Sequence, residues 1–191
     1  EACGYEVVLT REDNETGISN SERAQLANES GANVMIRIHA NGAESSSASG
    51  AMALIGSADN KYVGDLYDES NRLASDVLNA YCASTGMKNG EVQTSDTMNG
   101  INWSKIPVMI LEMGFMTNET DDRNMENSDY QDRMVKGIVD GLNVYFGVSN
   151  SNNDDITDEI LEYIASKGQN NGTISVYAKR LGSENGTASV F

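Results

Sequence analysis

The sequence predicts an α/β domain, a twisted and mostly parallel sheet flanked by helices. Three observations carry that prediction. Tyr5 to Leu9 and Val34 to Ile38 are β-rich runs, and the segment between them has helical end signals, so the order is strand, helix, strand. That order favours a parallel pair. Val108 to Leu111 (VMIL) is a continuous apolar run, as expected of a strand buried on both faces. Two longer stretches carry apolar residues at helical spacing, one near 62–84 and one near 129–146.

Taken in order, residues 1–4 (EACG) read as a helix end with Gly4 as its cap, and Tyr5 to Leu9 as the first strand. Thr10 to Gly17 is a polar loop. Ser19 and Glu22 have capping-box spacing, so a helix begins there and stops at Gly31. Val34 to His39 is the second strand, followed by the turn signal Asn41-Gly42. Gly50 to Ile55 is a short apolar run, predicted as an edge-like strand. Val63, Leu66, Tyr67, Leu73, Ala74, Val77, Leu78, Tyr81 and Cys82 then mark a long amphipathic helix. Thr85 to Lys105 is weakly patterned and reads as either a functional loop or a plain connection. After Val108 to Leu111 come Glu112, a glycine-containing turn, a short acidic helix over 120–127 and a strong helix over 129–146. Residues 148–155 are a linker by composition. A helix near Thr157 and strand-like runs at 173–178 and 188–191 close the chain.

The 191 residues suffice for one full domain and something small. The net charge of −16, from 29 acidic and 13 basic residues, opposes binding to a phosphate backbone, so no nucleic-acid partner is expected. Most of that acidity reads as a solvated surface. No apolar run is long enough for a membrane-spanning helix. The cysteines, Cys3 and Cys82, form no CxxC zinc pattern, and a bridge between them stays open. No signal peptide is visible; Glu1 reads as an interior position, since the first residues already run into a strand.

Two groups carry candidate chemistry. His39, the only histidine, stands at the end of one buried strand, and Glu112 directly follows another. A carboxylate at such a place is disfavoured in its charged form unless paired or coordinated. Active sites of open α/β sheets gather at the carboxyl ends of strands, and neighbouring strands lie about 4.8 Å apart. A histidine and a glutamate without a nucleophilic Ser or Cys suggest metal-assisted hydrolysis. A structural histidine and a capping glutamate are the plain alternatives.

Several stretches together resemble a known family. They are Val8-Leu9-Thr10-Arg11 with Asp13, Arg23 with Ala27-Asn28, Ile38-His39-Ala40-Asn41, and Pro107-Val108 through Glu112-Met113-Gly114-Phe115-Met116-Thr117-Asn118. In order and spacing, across about residues 4–147, they resemble the zinc-dependent N-acetylmuramoyl-L-alanine amidases of the Amidase_3 type. The resemblance implies cleavage of the amide bond between N-acetylmuramic acid and the L-alanine of the stem peptide. It implies peptidoglycan as partner, Zn2+ as cofactor, and an extracellular or cell-wall location in a bacterium. It makes His39 one zinc ligand and Glu112 the catalytic general base. The family's other two ligands, a His and a Glu, precede the strand that matches Tyr5 to Leu9. The expectation is therefore a domain over 1–147 lacking its first strand and most of its first helix, and inactive as a 191-residue chain. A non-catalytic muropeptide-binding module is the alternative. Arg37 stands where the family commonly has a small polar residue, on the strand face of His39.

Residues 156–191 are expected either to pack on the first domain or to begin another. Gly172-Thr173-Ile174-Ser175-Val176-Tyr177-Ala178-Lys179-Arg180-Leu181 weakly resembles the opening of a class A β-lactamase-like serine hydrolase domain, which would make that enzyme a tethered partner.

Overall fold

The computed structural model describes residues 4–11, 13, 15–148, 174–183 and 186–190. Its elements are β1 (Tyr5–Leu9), α1 (Asn20–Ser30), β2 (Val34–Asn41), β3 (Ala51–Ile55), a 3-10 turn (Gly64–Leu66), α2 (Tyr67–Thr85), β4 (Asn89–Thr94), α3 (Asn99–Asn102), β5 (Val108–Phe115), α4 (Glu119–Glu126), α5 (Ser128–Phe146), β6 (Ile174–Ser183) and β7 (Gly186–Val190).

The sheet order is β1-β6-β2-β5-β3-β4, with β7 paired to β6. β2 and β5 are parallel neighbours, and β6 runs antiparallel to both β1 and β2. Hence β1, β2 and β5 point one way. β3 runs against β5, and β4 runs with β3. This is an α/β fold with helices on both faces of a mixed sheet.

Strand periodicity sorts the side chains into two layers. Val34 and Ile36 of β2 and Met109 and Leu111 of β5 point into the larger core, with Leu73, Val77, Leu78 and Tyr81 of α2 and Ile138 and Leu142 of α5. Met35, Val108 and Ile110 point the other way, into a smaller core with Ala27 of α1 and Ile101 of α3. Both faces of β2 and β5 are thus covered, which explains their unbroken apolar runs. Helices α2 and α5 lie backbone against backbone. A Cβ on Gly137 would come 2.6 Å from the Tyr81 Cα, and one on Gly141 would run into the Val77 backbone.

The start of α1 follows the sequence closely. The Ser19 hydroxyl accepts from the Glu22 N–H, the Glu22 carboxylate accepts from the Ser19 N–H, and Gly31 closes the helix in the left-handed region at φ 75°. Elsewhere the structure differs. β3 is an interior strand, and the edge belongs to β4, whose polar sequence NGEVQT hides a strand in the segment read as a connection. α2 begins only at Tyr67, after the 3-10 turn, so Tyr62 stays outside it and exposed. β2 and β5 run past His39 and Glu112, so both residues lie within strands. The linker from 149 and the helix near Thr157 fall outside the described residues. The strand-like run at 173–178 is the longer β6, in the domain's own sheet.

Candidate functional site

His39 and Glu112 face each other in register across the β2–β5 pair. Counting by twos from Met35 and from Val108 puts both on the sheet face of α1 and α3. The His39 Nδ1 lies 4.0 Å from the Glu112 Oε1, too far for a hydrogen bond. The other two heteroatoms, His39 Nε2 and Glu112 Oε2, are buried and have no hydrogen-bond partner among the described residues. A buried polar atom without a partner costs stability, so two on facing residues mark a place made for something else.

The electrostatics keep both groups in their unprotonated-imidazole and hard-to-ionise-carboxyl forms. Burial, then the Arg37 and Arg23 charges, lower the His39 pKa to about 4, so the ring is neutral at pH 7. Burial pushes the Glu112 carboxyl up, and Arg37 partly offsets it. A neutral imidazole with a buried free nitrogen is the form that ligates zinc. His39 therefore fits one position of a zinc site. A zinc hydrolase holds its metal with three protein ligands. Among the described residues, no group of three or more His, Cys, Asp and Glu side chains is placed to hold a metal ion.

The loops carrying the two motifs are stitched together. The Met116 N–H donates to the Asn41 carbonyl at 2.8 Å, the Ala43 N–H to the Thr117 hydroxyl at 3.1 Å, and the Asn118 amide to the Ser46 carbonyl at 2.9 Å. Asn118 also caps α4. Met52 of β3 stands opposite Glu112 on its other side, and its sulfur accepts from the Asn41 amide at 3.5 Å.

Two supporting residues escaped the sequence reading. Asp121, buried, accepts from the Gly50 N–H (2.9 Å), the Phe115 N–H (3.1 Å) and the Ser49 hydroxyl (2.9 Å). It joins the start of β3 to the end of β5, one turn beyond Glu112. The second is Asn20, the first residue of α1, whose side-chain oxygen accepts from Arg37 at 2.6 Å. Neither gave a usable signal, since Asp121 sits in an acidic run and Asn20 beside the capping serine. Cys82 is a free, half-buried thiol, raised in pKa by burial and on α2, away from the pair. No helix among the described residues is long and apolar enough to cross a membrane.

Residues 1–144 match a protein family described as N-acetylmuramoyl-L-alanine amidase, Amidase_3. Among characterised relatives, the N-acetylmuramoyl-L-alanine amidase LytC of Bacillus subtilis is 31% identical over 147 residues, 76% of this chain. The chain spans only 28% of LytC. Among solved structures, an N-acetylmuramoyl-L-alanine amidase from Clostridium difficile 630 superposes with a TM-score of 0.64 at 26% identity, covering 74% of this chain and 72% of that one. The catalytic domain of CwlV from Paenibacillus polymyxa shares the fold, with a TM-score of 0.60 at 24% identity over 71% of this chain and 69% of that one.

Proposed function

The chain belongs to the Amidase_3 family of N-acetylmuramoyl-L-alanine amidases, and from that premise we propose that it is the catalytic domain of a bacterial, extracytoplasmic peptidoglycan hydrolase. Its bond is the amide between N-acetylmuramic acid and the L-alanine of the stem peptide. The observation that supports this most is the His39–Glu112 pair, in register on adjacent parallel strands, with one buried heteroatom on each left without a partner.

In this reading His39 would hold a zinc ion through Nε2, and such an ion would supply Lewis-acid polarisation of the amide carbonyl. Glu112 takes a proton from the attacking water on Oε2 and returns it to the leaving nitrogen of L-alanine as the C–N bond breaks. Its burial suits that task, because a raised pKa brings a carboxylate closer to the ideal for a base near neutral pH. The stitched loops at 41–46 and 115–118 hold the two strand ends at a fixed separation, which keeps base and ligand aimed at one point.

The chain has one histidine, and the resemblance asks for two histidines and a glutamate as ligands. We propose that the 191-residue polypeptide binds zinc weakly and releases little product by itself. The same shortage favours, as a second reading, a module that binds muropeptides without cutting them. β6 pairs with β1 and β2 and β7 with β6, in the domain's own sheet, which supports reading 156–191 as an extension of this domain rather than the opening of a tethered serine hydrolase.

The test is a zinc titration of this chain by calorimetry, with release of stem peptide from purified peptidoglycan followed alongside. Weak zinc binding and no release, with muropeptide still bound, fit both the ligand-poor amidase and the binding module. Fusing to this chain the segment that precedes the matched region in a relative separates them: release that Glu112→Gln abolishes supports the amidase. No release from a folded, zinc-loaded fusion overturns it.

A further inference from the structure

Arg37 is a buried guanidinium on the strand and face of His39, two residues before it, 2% exposed. The catalytic reading above gives it no task. Its side chain reaches across the layer and touches both elements that roof this face. On one side it donates to the Asn20 side-chain oxygen at 2.6 Å, at the first residue of α1. On the other it packs against Gly100, the second residue of α3, so closely that any Cβ there would collide with the guanidinium. α3 is one turn long and its N-cap Met98 makes no side-chain capping bond, so this contact adds to the buried Ile101 and the Asn102 bonds to Asn60 and Asp96 in placing it.

From this geometry we propose that Arg37 is a positioning residue: a buried fork that ties the starts of α1 and α3 to the strand bearing His39 and so fixes the imidazole against Glu112. Three features converge on it. The fork sets one arm against Gly100 and bonds Asn20 with the other, a two-sided reach that a lysine ammonium cannot reproduce. The glycine at position 100 is the space the fork needs. The guanidinium is also a fixed charge near the pair, acting on His39 and Glu112 alike. A small residue at position 37 would leave a void beneath the pair and loosen both roofs. Arg37 is sealed from solvent, so it acts through its neighbours and does not touch substrate.

The inference rests on the amidase reading only for its biological meaning, and its test does not use activity. Because His39 is the single histidine, its two imidazole nitrogens give unambiguous signals in a long-range 15N–1H spectrum of the metal-free chain at pH 7. The spectrum reports the ring's charge state, tautomer and environment together. The variants are Arg37→Met, Arg37→Lys and Gly100→Ala, with Thr85→Ala as a control. Thr85 is also buried and polar, but it sits at the end of α2 on the other face of the sheet, bonded to the Tyr81 carbonyl and the Met87 N–H. The expected result is that Arg37→Met, Arg37→Lys and Gly100→Ala all shift the His39 nitrogens and raise the minor tautomer, while Thr85→Ala leaves both unchanged. Arg37→Lys and Gly100→Ala keep the test open if Arg37→Met fails to fold. Folded variants at position 37 whose His39 signals match those of Thr85→Ala would overturn the proposal and leave Arg37 a strut. An amidase assay that fails while His39 still responds removes the function and leaves this inference standing.

Discussion

The two faces of the sheet are built on opposite principles. The face under α2 and α5 is apolar and close-fitting: among the described residues eighteen buried hydrophobic ones form one cluster, and two glycines let the helix backbones touch. The face under α1 and α3 has seven such residues among those described, and into that layer the chain places Arg37, His39 and Glu112. One strand serves both, since Ile36 and Arg37 are neighbours on β2 pointing opposite ways. The difference shows how a small domain carries reactive groups. The first face holds the fold, so the second can tolerate buried polar atoms without partners.

Four substitutions or conditions probe that contrast. The largest effect belongs to the polar face and to chemistry. In a zinc-loaded form that cuts peptidoglycan, Glu112→Gln should lower the rate of peptide release by about 10²–10⁴, the usual contribution of a positioned acid–base group. The next belongs to the apolar face. Gly141→Val drives a branched side chain into the Val77 backbone and should cost about 3 kcal/mol in urea unfolding. An unchanged midpoint would mean that α2 and α5 are not locked as described.

Acid should then act through the polar face. The folded His39 pKa is about 4, below the unfolded value of about 6.5. The unfolded chain takes up the proton first, so stability falls as pH drops through that window. After allowance for partial exposure, the metal-free chain should lose about 2 kcal/mol by pH 4 from this group, a slope that His39→Asn removes. The smallest effect has the opposite sense. Burial raises the folded Glu112 pKa, so ionisation opposes folding above the ordinary carboxylate range. Glu112→Gln should raise the melting temperature at pH 7, and the gain should shrink as pH falls through that range. A melting temperature that drops instead would mean that the carboxylate is held by charge more than it is hindered by burial.

The same contrast governs what could be read from the sequence. The apolar face announces itself through spacing: periodicity alone gives a helix near 62–84, found at 67–85, one near 129–146, found at 128–146, and the runs VMI and VMIL. The capping box at Ser19 and Glu22 is local chemistry and was equally legible. β4 was not, because NGEVQT has no apolar alternation to follow and belongs to the sheet by backbone pairing at an edge. β3 was read as edge-like for want of that neighbour. His39 and Glu112 stood out as odd groups beside buried runs, and pairing them needed the register of two distant strands. Arg37 was seen to share the face of His39, but its grip on Asn20 and Gly100 is tertiary. Asp121 was one acidic residue among several, and only the fold shows which of them turns inward.

Asp121 carries a consequence for motion. Its carboxylate holds the Gly50 and Phe115 amides, which begin β3 and end β5. Strand ends ordinarily fray, exchanging their amide protons through small local openings that cost little free energy. Here both amides share one buried carboxylate oxygen, and the Ser49 hydroxyl holds the other oxygen. Both should therefore exchange with deuterium only through the larger opening that also releases α4. The end of β5 beyond Glu112 would then belong to the slow-exchanging centre of the molecule, although it lies at its rim.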